Sequence, residues 1–341
     1  MSSDTTTRND AAREQPTEPQ NAARIDEGAF APIFGLDHWL TFRGDDSANP
    51  VLLVLGGPGA GFSAFAPLFA AFERDFTVVQ WDQPGGGATH AKNGEARTGA
   101  LTIERLVRDA IAVAEHARDR LGKKRVVLLG ASGGTILALI IASRRPDLVC
   151  ACVCAGTFVD WKRQDAASYA LVLARARTAH DAAAVAELER IGPPPYPDTA
   201  TDAIKSKYAG ALTPTEVAAL AALRRVLESP PAGAPYMAHG FALGDPRAIA
   251  TAAYDKLRAD IVSFDARRLG RVFRMPMLFF QGEQDAYSVT DAVRDYVEEI
   301  DAPRKLLVVV PDASHSLLFA GSALLEPLLV HVRPVALEAD R

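Results

Sequence analysis

Gly130-Ala131-Ser132-Gly133-Gly134 reads G-x-S-x-G, and its neighbours decide the fold. The apolar run Arg125-Val126-Val127-Leu128-Leu129 leads directly into it, and Thr135-Ile136-Leu137-Ala138-Leu139-Ile140-Ile141-Ala142 leads out with helical character. On composition alone such a pentapeptide arises in about one chain in ten of this length, so the motif by itself decides little. A buried strand before it and a helix after it are the setting of a nucleophile elbow, a strained turn that exposes a serine hydroxyl at the edge of a sheet. The turn demands small neighbours. The glycines and Ala131 meet that demand, which makes Ser132 the candidate nucleophile; the bland alternative is a Gly-rich turn with a capping serine.

Working outward, strands and helices alternate from about residue 30 to 155. Pro50-Val51-Leu52-Leu53-Val54-Leu55 is a continuous apolar run, followed by glycines and a helical segment around Ser63 to Arg74. Phe76-Thr77-Val78-Val79-Gln80-Trp81 is the next strand and ends in Asp82 and a Gly-rich loop. Thr102 predicts the N-cap of a helix that runs to Leu121, with Gly122 just past its end. Apolar strands interleaved with helices imply a mostly parallel sheet with helices on both faces. Between about Thr157 and Leu269 the chain is Ala-rich and helical in period, as in Ala166 to Ile191 and Pro214 to Leu227. Breaks fall at Gly192-Pro193-Pro194-Pro195 and Ser229-Pro230-Pro231. A helical cap over the carboxyl edge of the sheet is expected there, because ligands bind at that edge. Strands resume at Met277 to Gln281 and Lys305 to Val310. The expected organisation is a disordered tail over 1–28, a core over 29–156 and 270–341, and a helical cap over 157–269.

Composition narrows the class. The chain has 341 residues, 48% hydrophobic and 23% charged, which is ordinary for a globular protein. Its formal net charge is −5, with no Lys/Arg run, so nothing supports a nucleic-acid partner. No apolar run approaches the 18 or so residues needed to span a bilayer, and a membrane partner is not expected. The first 28 residues lack an apolar core and carry Asp4, Asp10, Glu14 and Glu18, unlike a secretory or transit signal; a cytoplasmic location is the default. Cys150, Cys152 and Cys154 alternate, so on a regular strand they share one face. A metal site is one reading; small buried hydrophobes in a sheet strand is the favoured one.

A serine hydroxyl is a poor nucleophile until an imidazole accepts its proton and an anion orients that imidazole. In the α/β-hydrolase order, Ser is followed by Asp or Glu and then His, each on a loop at a strand's carboxyl end. Of seven histidines only His315 and His331 follow the expected cap. His315 comes just after the last strand, where the base belongs, whereas His331 lies in a helical stretch. Asp285 follows the preceding strand and is the candidate acid; Glu283 is its main rival, and Asp82 is read as a brace for the Gly-rich loop. The oxyanion needs backbone N–H donors, expected from Gly133 and from Gly57 in Gly56-Gly57-Pro58-Gly59.

Gly56-Gly57-Pro58-Gly59, Asp82-Gln83-Pro84-Gly85-Gly86-Gly87, the elbow, Gly282 to Asp285 and Ser314-His315 together resemble the proline iminopeptidase branch of the α/β-hydrolases, a serine aminopeptidase family. The resemblance covers roughly residues 34 to 155 and 274 to 335. It implies a hydrolase core with a helical cap, a triad on Ser132, Asp285 and His315, and no cofactor or metal. Three positions depart from the family pattern. Leu55 stands where the family has His, which removes a polar group that would steady the oxyanion loop. Ala131 and Gly133 flank the serine where the family has a polar residue and Trp, and losing the Trp is expected to open space beside the nucleophile. Family members meet a substrate amine with cap carboxylates; Glu187, Glu189, Glu216 and Glu228 are the candidates here, each read individually as a solvated helix face. The resemblance therefore implies an aminopeptidase acting on a short peptide or small molecule. An esterase or amidase of a small metabolite, and a non-catalytic binder on the same fold, are the alternatives.

Overall fold

The computed structural model describes residues 23–229 and 246–341. Most of the expected tail and part of the Pro-rich break at 229–231 lie outside those residues. The tail boundary itself shifts: Ile25–Ile33 forms strand β1, so residues 25–28 belong to the sheet. β1 and Leu36–Gly44 (β2) make an antiparallel hairpin around Phe34-Gly35. Both turn residues have positive φ, 47° and 81°, the twist that suits a two-residue hairpin. The hairpin escapes the sequence pattern because β1 is mostly exposed and carries Asp26, Glu27 and Pro32, whereas β2 is buried almost throughout.

The remaining strands are β3 (Val51–Leu55), β4 (Thr77–Asp82), β5 (Val126–Ala131), β6 (Val149–Ala155), β7 (Met277–Gly282) and β8 (Lys305–Val310). They complete one eight-stranded sheet in the order β1-β2-β4-β3-β5-β6-β7-β8. β2 meets β4 antiparallel, and every pairing from β4 to β8 is parallel. This is the α/β-hydrolase fold. Alternation along β3 sends Val51, Leu53 and Leu55 into one core and Leu52 and Val54 into the other. The helix Gly134–Arg144 is buried from Gly134 to Ala142, and each large apolar side chain there contributes about 1.5–3 kcal/mol.

The cysteine strand departs from strict alternation. Val126 pairs with Val149 but Val127 pairs with Ala151, a bulge that leaves Cys150 unpaired in register. Cys150 therefore faces one core while Cys152 and Cys154 face the other, their sulfurs 3.9 Å apart. Burial pushes the Cys150 thiol up to about 12, as expected of small hydrophobes rather than metal ligands. The long helical run Ala166 to Ile191 is two helices, Trp161–Thr178 and Ala182–Ile191. His180 at φ 54° ends the first, and the Asp181 carboxylate caps the second by accepting the Ala184 N–H at 2.9 Å. Among the described residues no single helix is long and apolar enough to cross a membrane.

Candidate active site

Ser132 follows β5 with φ 54°, a left-handed conformation that few non-glycine residues adopt. The turn is held by Ser132 N–H donating to Ala155 O at 2.8 Å and Thr135 N–H donating to Ser132 O at 2.9 Å. The need for glycine is steric at two neighbours. A Cβ at Gly134 would lie 2.0 Å from Leu55 O, and one at Gly130 would lie 2.8 Å from both Ala138 Cβ and Gly134 O. The elbow can therefore press against the end of β3 only with this sequence.

His315 arrives on the loop after β8, with its Nε2 2.8 Å from Ser132 Oγ. Its Nδ1 lies 3.0 Å from Asp285 Oδ2, and Asp285 sits on the loop after β7. With Nδ1–H directed at the carboxylate, Nε2 is free to accept the serine proton; that tautomer is assigned from the bonding pattern. The two loops touch because residue 282 is glycine: a Cβ there would lie 2.1 Å from Ser314 O. Asp285 is almost fully buried. Burial works to raise its pKa, but the facing His315 and hydrogen bonds from His315 and Ser288 outweigh it, holding the carboxyl below its ordinary 3.8. Backbone N–H groups of Tyr287 and Ser288 also donate to Asp285 Oδ1, at 2.8 and 2.9 Å. The rival Glu283 instead accepts the Asp312 N–H at 3.4 Å.

Two residues at this site were given no role from the sequence, Ser288 because nothing marks it and Gln83 because it was read only as part of the Asp82 to Gly87 motif. Buried Ser288 donates to Asp285 Oδ2 at 2.6 Å and lies 3.2 Å from His315 Nδ1. Gln83 spans the loop after β3: it accepts the Gly59 N–H at 3.0 Å and donates to Gly56 O at 2.9 Å. With leucine at position 55, this loop is held by a side chain just past β4. Asp82 beside it accepts from Ser63 and from the Ala88 N–H, and so braces the Gly-rich loop.

A cavity of about 490 Å³ brings Ser132, His315, Gly57 and Gly133 together beneath Phe158, Trp161, Tyr254 and Tyr287. On the other side of Ser132 a smaller one, about 250 Å³, is walled by Phe62, Phe65, Leu68, Leu317 and Phe319. Gly133, where the family has Trp, lines the larger cavity, and a Cβ there would meet Pro58 Cδ at 2.7 Å. The four glutamates named from sequence line neither cavity. Glu187 pairs with Lys207 and Glu189 with Arg177, while Glu228 is exposed at a helix end. Glu216 is no solvated face: it is buried, closes a capping box with Thr213, and accepts the Ser314 N–H at 2.8 Å, one residue from His315. The carboxylate that does line the larger cavity is Asp202. Lys205 is almost fully buried beside it, bonded to Asp165 and 3.4 Å from Asp202 Oδ1. Among the described residues no group of three or more His, Cys, Asp or Glu side chains could hold a metal ion.

Elbow, sheet order and loop placement define the class, and the chain belongs to the α/β-hydrolase fold family, whose model matches residues 49–322. Within it, the chain is 26% identical over 284 residues to the probable aminopeptidase YbaC of Bacillus subtilis, spanning 81% of this chain and 86% of that protein. The proline iminopeptidase of Lactobacillus delbrueckii subsp. bulgaricus is 32% identical over 115 residues, 33% of this chain and 37% of its own length. The solved proline iminopeptidase-related protein of Thermus thermophilus shares the fold at a TM-score of 0.62 and 21% identity, covering 91% of this chain and 99% of that one. The resemblance to proline iminopeptidases read from the motifs is borne out.

Proposed function

We propose that this protein is a serine hydrolase working through an acyl-enzyme. The observation that carries the reading is the continuous relay from Ser132 Oγ through His315 to Asp285, at 2.8 and 3.0 Å, opening onto a cavity. Ser132 Oγ attacks a carbonyl carbon as His315 Nε2 takes its proton. Asp285, ionised because of its depressed pKa, holds the imidazole and stabilises its cationic form. The Gly57 and Gly133 N–H groups receive the oxyanion. His315 then protonates the leaving group, and water repeats the cycle on the ester at Ser132. A fluorophosphonate tests this directly: an adduct on Ser132 of the folded protein is expected, and its absence sinks the reading in favour of a non-catalytic binder.

Within that chemistry the reaction is release of a small N-terminal residue from a short peptide. The support is similarity to a probable aminopeptidase over most of both chains. A specific observation favours a second reading, an esterase or amidase: Lys205 already sits on both carboxylates nearest the cavity, Asp165 and Asp202, where a substrate amine would otherwise bind. Aminoacyl arylamides compared with simple acyl esters separate the two. Cleavage only of esters without an amine removes the aminopeptidase reading. Three buried, unpaired cysteines support a reducing cytoplasmic setting.

A further inference from the structure

Two short helices, Ser63–Phe72 and Leu317–Ala320, supply most of the wall of the small cavity of about 250 Å³ beside Ser132. The helix Pro214–Glu228 packs on both of them. The aromatic part of the wall is anchored from behind. Gln80 Nε2 donates to Phe62 O at 2.9 Å, and the next residue, Ser63, donates its N–H to Asp82 Oδ1 at 2.9 Å. The Phe62 ring can lie against the loop after β3 because residue 56 is glycine, where a Cβ would fall 2.1 Å from Phe62 Cδ2. Phe65, Leu68, Leu318 and Phe319 are only partly buried, so apolar surface borders the open space itself.

This lining specifies the occupant. Besides Ser132 and His315, the only polar side chain on it among the described residues is Ser316, and no Asp, Glu, Lys or Arg contributes. A substrate ammonium or carboxylate would lose its hydration there and meet no counter-ion. The larger cavity on the other side of Ser132 differs, since Asp202 lines it. A substrate with one charged end therefore has its uncharged end directed to the small cavity. An apolar cavity of about 150 Å³ accommodates benzene, so this one has room for a ring with a short tail or an unbranched chain of about eight carbons.

We infer that the small cavity is the subsite for an uncharged apolar group, aryl or medium-chain alkyl, carried next to the scissile bond of the ester or amide. The group is either the acyl substituent or the leaving group, and the same walls receive it. The subsite deepens the serine hydrolase reading and rests on it.

Two substrate series test it and separate the two sources. p-Nitrophenyl esters from acetate to decanoate lengthen the acyl side, and alanine N-alkylamides from methyl to octyl lengthen the leaving side. In one series kcat/KM is expected to rise about two- to fourfold per methylene and to level off near eight carbons. A terminal ammonium on the chain of that series is expected to lower kcat/KM at least about tenfold. Leu68→Trp and Leu318→Trp, one from each short helix's side of the wall, should each cut the long-to-short ratio of kcat/KM about tenfold by filling the space. A ratio taken within one protein does not depend on how much of it is folded. No length dependence in either series, no penalty for the ammonium, or an unchanged ratio in both variants overturns the subsite. Fluorophosphonate labelling of Ser132 without length dependence removes the subsite alone, whereas absence of labelling removes the hydrolase reading together with it.

Discussion

The carboxyl edge of the sheet and the helices between β6 and β7 place their polar groups by different means. At the edge, backbone geometry does the placing: a serine forced to φ 54°, a glycine at 134 whose Cβ would strike β3, and loops that follow immediately after β7 and β8. Most determinants are a few residues from the group they position, with Gln83 and Glu216 reaching in from farther along the chain. Between the helices, placement depends on side chains far apart in sequence. Lys205 joins Asp165 across 40 residues, and Tyr254 donates to Asp202 across 52. The proposed triad is thus placed mainly by short-range rules and the charged groups beside the cavity by long-range ones.

That contrast can be broken most forcefully at the edge. Ser132→Ala is expected to lower kcat by about 10⁵–10⁶-fold with little change in thermal unfolding, as steady-state kinetics and calorimetry would show; substantial residual turnover would move the nucleophile elsewhere. Asp285→Asn should cost about 10⁴-fold in kcat through loss of the correct histidine tautomer. Its depressed carboxyl pKa also stabilises the fold above the unfolded value near 3.8, and that stability is lost as pH falls through the lower folded value. In acid titrations below pH 4 the Asn variant should therefore unfold with a weaker pH dependence.

Gln83→Ala releases the loop that carries Gly57 and is expected to reduce kcat by about 10²–10³-fold with KM nearly constant, the size of one lost oxyanion donor. A change confined to KM would deny Gln83 a positioning role. The helical side should answer in the opposite parameter. Lys205→Met frees Asp165 and Asp202, and KM for aminoacyl arylamides is expected to fall about tenfold, or 1.4 kcal/mol. Breaking the buried pair also lowers stability, by about 3–5 kcal/mol in denaturant titration. Smallest of all, alkylation of the folded protein at pH 8 should modify none of the three cysteines, and all three after denaturation, because burial holds the Cys150 thiol protonated and the hydrogen bond with Cys152, together with burial, does so for Cys154.

The same division explains what could be read from sequence. The parallel sheet, the elbow and the loop positions of Asp285 and His315 were legible because each follows a strand whose apolar run is unmistakable. Gly133 and Gly57 were legible as glycines beside such strands. The β1–β2 hairpin was not, since one strand is exposed and charged, nor was the bulge at Cys150, which no alternation pattern announces. Asp202 looked like any acidic residue in the first turn of a helix, and Glu216 like a solvated one. Its burial is visible only once Ser314, 98 residues away, is folded against it. Ser288 shares that difficulty, for a lone polar residue gives no periodic signal, whereas Gln83 stood in a recognisable motif whose bonding only the fold reveals.

Gln83 has one more consequence. The loop after β3 is tied to the end of β4 by the Gln83 side chain, by Gln83 N–H donating to Ala60 O at 3.0 Å and by a bridge between Gly61 and Asp82. The proposed oxyanion donor at Gly57 and the Gly85–Gly87 turn therefore share one mechanical degree of freedom. Whatever displaces that turn, a substitution at Asp82 included, is expected to move Gly57 and with it both the proposed oxyanion donor and a wall shared by the two cavities at Ser132.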